Sequence, residues 1–431
     1  MTSKTKSGIW YRLDNAAKIY PAINNAQWSS NFRISATLKK TVDPSALQRA
    51  LDRVTARFPN FRLRLRRGFF WYYLDQNPNH AYVQEDVSNP CGKLGRKDEG
   101  GQLFRVRYFH CRIAVEVFHV VCDGTGLLSF LKTLVAEYLA ETEGITVSKT
   151  EGVLDCSAPS PPEEMEDAFR RYASFRAMKD RRESRAFHYR GTLLPRQEIR
   201  IITGLLPRKT LAEKAASYGA SITEFLVAVL IQCYADCQNE GNSRVELPVK
   251  ISVPVNMRKF YPTRTLRNFS LFLNPGIEPK YGAYTLEEII DEVHHFMRMN
   301  LKEKYLNAVL CKNLSTELNP FMRIVPLFLK NIGLVAGFRL FGESRFSSTF
   351  SNLGVVRVPK EMDPFIERFD FMLGTPRYNT GIVGGVCYHD TVSLTFTRSI
   401  EEPEIERRFF TALLRLGIRA RIESCLLYTS A

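Results

Sequence analysis

The segment FHVVCDGTG, residues 118–126, sets one imidazole four residues before an aspartate and a glycine. Histidine is the side chain best suited to take a proton near neutral pH, from a hydroxyl, an amine or a thiol. Asp123 could orient local backbone or form an ion pair at the turn. Gly124 permits a bend closed to other residues. The plainer alternative is a structural histidine held by a backbone carbonyl at the end of a strand.

The surrounding elements favour a site at a junction. Ile113, Val115 and Val117 alternate with Arg112, Ala114 and Glu116, the period of a strand. His119 shares the parity of the apolar set, so regular strand geometry points it inward. Together with FRVRYFH the run predicts a hairpin from Phe104 to Val121. Leu127, Leu128, Leu131, Leu134, Val135, Tyr138 and Leu139 then recur at three and four, the period of a helix. An inward imidazole where a strand gives way to a helix faces the place where chains part.

Elsewhere the same periodicities recur. Asp43 is an N-cap and Pro44 a first helical residue for a helix that Pro59 stops. Phe61, Leu63 and Leu65 predict a strand up to Gly68, and FFWYYLDQ another. Farther on, RQEIRIITG reads as a strand, and Ser221 with Glu224 makes a capping box before a central apolar helix. RVELPVKISVPVNMR predicts a buried strand ending in a turn at 254–258. Thr285 and Glu288 form a second capping box. Strands at 381–388 and 391–397 and a helix at 404–416 follow. The expectation is an α/β fold with mixed sheets.

The chain has 431 residues, 45% hydrophobic and 24% charged, enough for two domains with a real core. Its formal net charge of +15 suits an anionic partner. No zinc-finger spacing or aromatic RNA-binding motif is present, so nucleic acid is not the expected partner. No glycine-rich dinucleotide or phosphate loop stands between a strand and a helix. Nine scattered cysteines, several in apolar runs, suit buried thiols in a reducing compartment. Cys233 and Cys237 lack the companions a metal site needs, so no metal is expected. The basic start lacks an apolar core, and no apolar stretch is long enough to span a bilayer. Cytoplasmic residence follows as the expectation. Loop SAPSPPEE, residues 157–164, leads into a basic stretch at 170–190, read either as a solvated connector or as a landing site for phosphates. The last residues, CLLYTSA, carry no period and receive no role.

The HVVCDG segment, His119 to Gly124, resembles the His-x-x-x-Asp-Gly motif of the CoA-dependent acyltransferase superfamily. That superfamily includes chloramphenicol acetyltransferase, plant-type alcohol acyltransferases and peptide-synthetase condensation domains. ISVPVNMRKFYPTRTLRNFS (251–270) is similar to a strand end of alcohol acetyltransferase-like members. FSSTFSNLGVV (346–356) resembles their late strand near the active-site channel. The three segments span most of the chain.

The resemblance implies two similar α/β halves with a channel between them: 1–160 carrying the motif, a crossover at 161–190, a second half at 191–424 and a tail at 425–431. It implies His119 as general base in mid-channel, with the acyl thioester approaching from one face and an alcohol or amine acceptor from the other. No permanent cofactor is implied; acyl-CoA is a co-substrate. Asp123 is implied to be architectural, through an ion pair for which Arg258 is a candidate, and Gly124 to let backbone approach the channel. Ser351 and Asn352 are candidate donors for the tetrahedral oxyanion, and Asn268 a candidate lining the acceptor side. Two complete halves in one chain imply a monomer. Phe118 stands where many relatives carry a first histidine, and the plant-type Asp-Phe-Gly-Trp-Gly signature is absent. These departures favour the microbial alcohol acetyltransferase-like or condensation-domain-like branch. They leave open a carrier-protein-dependent reaction forming an ester or amide, with 170–190 as a docking face, and a catalytically silent binding protein.

Overall fold

The computed structural model describes residues 3–5, 8–24, 29–95, 100–175, 179, 183–195, 198–241, 246–374 and 379–424. The tail 425–431 and part of the basic stretch, 176–178 and 180–182, lie outside them.

Three mixed or antiparallel sheets carry the architecture. A five-stranded sheet runs Ile366–Leu373, Asn31–Leu38, Arg112–Phe118, Phe104–Phe109, Val83–Glu85. The predicted hairpin is its centre, with Val106 opposite Val115. An eight-stranded sheet is built on Val249–Asn256, Ser348–Val355, Gly381–Tyr388, Thr391–Arg398 and Arg200–Pro207. Ser348–Val355 pairs in parallel with Val249–Asn256 and with Gly381–Tyr388, and the other junctions, including edge strand Ser270–Leu273 on Val249–Asn256, are antiparallel. A four-stranded sheet joins Ser3–Thr5 and Gly8–Arg12 to the hairpin Leu63–Arg67 and Tyr72–Gln76.

Two hydrophobic cores result. The first packs helices Pro44–Arg57 and Gly124–Glu143 on the five-stranded sheet, around Phe58, Phe61, Phe104 and Phe130. Phe61 and Phe130 stack with centroids 4.0 Å apart. The second surrounds helix Ile222–Glu240, apolar on most sides and capped by Ser221 and Glu224. Strand Ile366–Leu373 links the two. It pairs with Asn31–Leu38, and its Asp370 accepts a 2.6 Å hydrogen bond from Ser393 of the larger sheet.

Two local readings are corrected, and a third strand shows more than its alternation says. Phe61 sits in a short 3-10 helix, Pro59–Arg62, so the strand begins at Leu63. Proline at the head of that turn and burial of the ring in the aromatic cluster outweigh the alternation. The strand at 249 runs through Pro254 to Asn256 before its turn. Strand Arg112–Phe118 is buried on both faces, because Glu116 is enclosed with Arg33, 3.2 Å away, and with the Cys91 amide. Among the described residues no single helix is long and apolar enough to cross a membrane.

Candidate active site

His119 is the first residue beyond its strand, and its amide donates to the Ser30 carbonyl at 3.0 Å. The ring is stacked on Tyr20, with centroids 4.6 Å apart and planes at 16°, and leans on Phe32. Phe118, its neighbour, is buried in the first core.

The protonation of the ring follows from its partners. Asn268 Nδ2 donates to Asp14 Oδ2 at 3.1 Å and to the His119 carbonyl at 3.0 Å. Both are acceptors, so that end of the amide must be nitrogen. Asn268 Oδ1 therefore faces His119 Nδ1, 2.8 Å away, and accepts its proton. The lone pair is left on Nε2. Asp14 is fully buried, accepts from the Ala17 amide at 2.8 Å, and lies 3.5 Å from Arg267. Burial pushes the His119 pKa down, while Asp123 and the Asn268 bond pull it up; the net direction is down. The imidazole is thus neutral near pH 7, and its Nε2 bonds to none of the described residues.

Asp123 holds the junction. It caps helix Gly124–Glu143 through the Gly126 amide at 3.2 Å. Its other oxygen accepts from Arg258 Nη1 at 2.7 Å and from the Phe269 amide at 2.9 Å. Arg258 also donates to the carbonyls of Thr265 and Arg267, and Asn256 reaches Thr125 at 3.1 Å. These bonds tie the turn after His119 to the segment that carries Asn268.

The two glycines differ. A Cβ on Gly124 would lie 2.6 Å from the end of the Leu353 side chain, which can rotate away. A Cβ on Gly126 would lie 2.2 Å from the Leu266 carbonyl oxygen, which cannot. Gly126→Ala is expected to cost about 1–3 kcal/mol or more in urea unfolding, as overpacking does. Gly124→Ala should cost clearly less; equal losses would contradict this reading.

Of the oxyanion candidates, Asn352 spends its amide on Thr223 Oγ1 at 3.0 Å and its oxygen on the Gly354 amide at 2.8 Å. The Ser351 hydroxyl has no hydrogen-bond partner among the described residues, which leaves it the freer donor. Both ends of the Asn268 amide are bonded, Oδ1 to His119 Nδ1 and Nδ2 to Asp14 and the His119 carbonyl. The basic stretch is partly neutralised, since Arg170 is bonded to Glu317 and Arg171 to Glu166. Tyr20, Asp14 and Arg267 were not singled out from the sequence. Asp14 and Tyr20 sit in no motif, Arg267 stands beside Asn268 in the 251–270 segment without having been picked out, and Asp14 lies 254 residues from Asn268.

No family model matches the chain, and no curated protein matches it by sequence. Solved structures do match it, over nearly the whole length. Trichothecene 15-O-acetyltransferase from Fusarium sporotrichioides superposes with a TM-score of 0.62 at 11% identity, covering 96% of each chain. Polyketide synthase associated protein 5 from Mycobacterium tuberculosis gives 0.61 at 13%, covering 94% of this chain and 97% of its own. The first condensation domain of the calcium-dependent antibiotic synthetase gives 0.64 at 16%, covering 95% and 97%. The chain therefore has the mixed α/β fold that this acetyltransferase and this condensation domain share.

Proposed function

We propose that this protein is an acyltransferase that moves an acyl group from a CoA thioester directly to an alcohol. The halves 1–160 and 191–424, joined by 161–190, would bring donor and acceptor to one imidazole, the orientation effect that makes such transfer efficient. His119 Nε2 takes the hydroxyl proton as the acceptor oxygen attacks the thioester carbonyl. The tetrahedral oxyanion needs a donor, for which the Ser351 hydroxyl is the better candidate. Collapse breaks the C–S bond, and the departing thiolate recovers the proton from His119 as free CoA. No acyl-enzyme is formed. The observation that carries this reading is the Asn268 amide, whose fixed orientation assigns the proton to Nδ1 and leaves Nε2 as base.

A related reading has the thioester on a carrier protein and an amine as acceptor. The likeness to the condensation domain supports it. A starter condensation domain of similar fold, from rhizomide synthetase, is known in complex with C8-CoA, which supports a free CoA ester as donor.

The test is release of free thiol from acetyl-CoA and longer acyl-CoAs with a panel of alcohols and amines. Acceptor-dependent release is expected with alcohols. Turnover only with carrier-bound thioesters would favour the second reading, and silence with every donor would defeat both. The pH profile adds a check. The base form exists above the native pKa of His119, which lies below the ordinary 6.5. So kcat/KM should rise with pH, reach half its maximum below 6.5, and be flat above neutrality. Stability should move the same way. As pH falls past 6.5 the unfolded chain takes up the proton first, so this group's contribution declines until the native pKa is reached. A half-maximal rate above pH 7 would exclude His119 as the base.

A further inference from the structure

Helix Leu327–Phe341 is the anomaly of the molecule. It is apolar on nearly every side, yet among its described side chains only Leu327 and Lys330 are buried. A helix of that composition belongs in a core or against a partner. Phe321, Ile324, Phe328, Ile332 and Leu340 of this region are 55% to 77% exposed. The tip of the hairpin Leu63–Arg67/Tyr72–Gln76 extends the same surface with Phe69, which is 71% exposed.

The two segments form one face. The Leu327 amide donates to the Phe69 carbonyl at 2.8 Å, and Lys330 Nζ donates to the Phe70 carbonyl at 3.0 Å. Lys330 also lies 3.5 Å over the Trp71 ring, and Asn331 bonds the Tyr72 hydroxyl at 2.9 Å. An exposed apolar surface of this kind marks an interaction site.

Charge selects the occupant. Residues 318–342 contain Arg323, Lys330 and Arg339 and no carboxylate, and the hairpin carries four arginines at 62–67, of which Arg64 and Arg66 lie against Asp75. Arg67, Arg323 and Arg339 are exposed and bond to no carboxylate among the described residues. A second copy docked about a two-fold axis would set these cations against each other. An anionic lipid surface would pair with them while taking up the aromatic and aliphatic side chains. We propose that this face binds the protein peripherally to anionic membranes. Phe69, Trp71 and Arg323 also border a cavity of about 700 Å³, whose wall includes Leu13, the neighbour of Asp14. An apolar acceptor could then pass from the leaflet toward His119. That last step rests on the acyl-transfer reading; the binding does not.

The test is flotation of the full chain with vesicles of phosphatidylcholine alone or mixed with phosphatidylserine. Flotation is expected with the anionic vesicles and should weaken with salt. Replacing Arg67, Arg323 and Arg339 by glutamine should weaken it by roughly five-fold per arginine, the equivalent of about 1 kcal/mol each. Phe328→Asp with Ile332→Asp should abolish it while leaving the thermal unfolding curve in place, because both side chains are exposed. Failure of the native chain to float, or flotation indifferent to the two aspartates, would overturn the proposal. So would a native dimer in sedimentation that those aspartates convert to monomer, since the face would then be a contact between copies. Binding is read without turnover, so a protein inactive in acyl transfer can still pass.

Discussion

His119→Ala is expected to lower acceptor-dependent thiol release by about 10²- to 10⁴-fold, the span that general base catalysis contributes. The loss should fall on kcat/KM for acyl transfer and spare binding of the CoA ester, because the ring is committed to proton transfer. Its Nδ1 is already bonded to Asn268 at 2.8 Å, and one of its faces lies against Tyr20. Only Nε2 is left to act. Asn268→Ala is the informative companion. It keeps the imidazole but releases the tautomer, so its loss should be smaller and should appear in kcat, as expected of a positioning residue. Rates unchanged in His119→Ala would move the chemistry elsewhere. Equal losses in the two variants, with the unfolding curve of Asn268→Ala displaced, would mean that the asparagine acts through the fold.

The sequence carried the local part of this picture because local periodicity is a local property. The parity of Ile113, Val115 and Val117 located the hairpin, and the spacing after Gly124 located the helix. Both capping boxes are present with their reciprocal bonds, since each needs only residues three apart. The His119 environment is another matter. Asn268 is 149 residues away, and Asp14 is hydrogen-bonded to that asparagine rather than to the ring. No spacing rule encodes such a contact. It exists because the segment after strand Val249–Asn256 is clamped onto the turn after His119. Asn268 stood in a segment that the resemblance had marked, so its presence near the site was legible and its partner was not. Asp14 and Tyr20 lie in a stretch without caps or period, where nothing distinguishes a buried carboxylate from a solvated one until its partners are known. Glu116 is a parallel case: alternation alone does not reveal that Arg33 and the Cys91 amide let its face of the strand be buried.

The clamp itself makes the largest prediction about stability. Asp123→Ala removes the acceptor for the Arg258 guanidinium, and the two side chains are only 7% and 12% exposed. Breaking a buried pair by deleting one partner costs about 3–5 kcal/mol, because the other charge stays buried. The same change strips the cap of helix Gly124–Glu143, worth about 1 kcal/mol, and leaves the buried Phe269 amide without its acceptor. Against a total stability of about 5–15 kcal/mol, such a loss threatens the native state. Arg258→Met should cost less. Asp123 then keeps two amide donors, and no cation is stranded. The double variant should therefore be more stable than the sum of the single losses predicts, with a coupling of about 0.5–3 kcal/mol in urea unfolding. Additive losses would show that the contact, though short, does not hold the turn after His119 to the segment that carries Asn268. The order matters for function as well. The Asp123 bonds fix the position of Asn268 relative to His119, so Arg258→Met, if folded, should retain the imidazole and still lose rate. Full activity in that variant would separate the clamp from the chemistry and leave Asn268 held by its own bonds to Asp14 and His119.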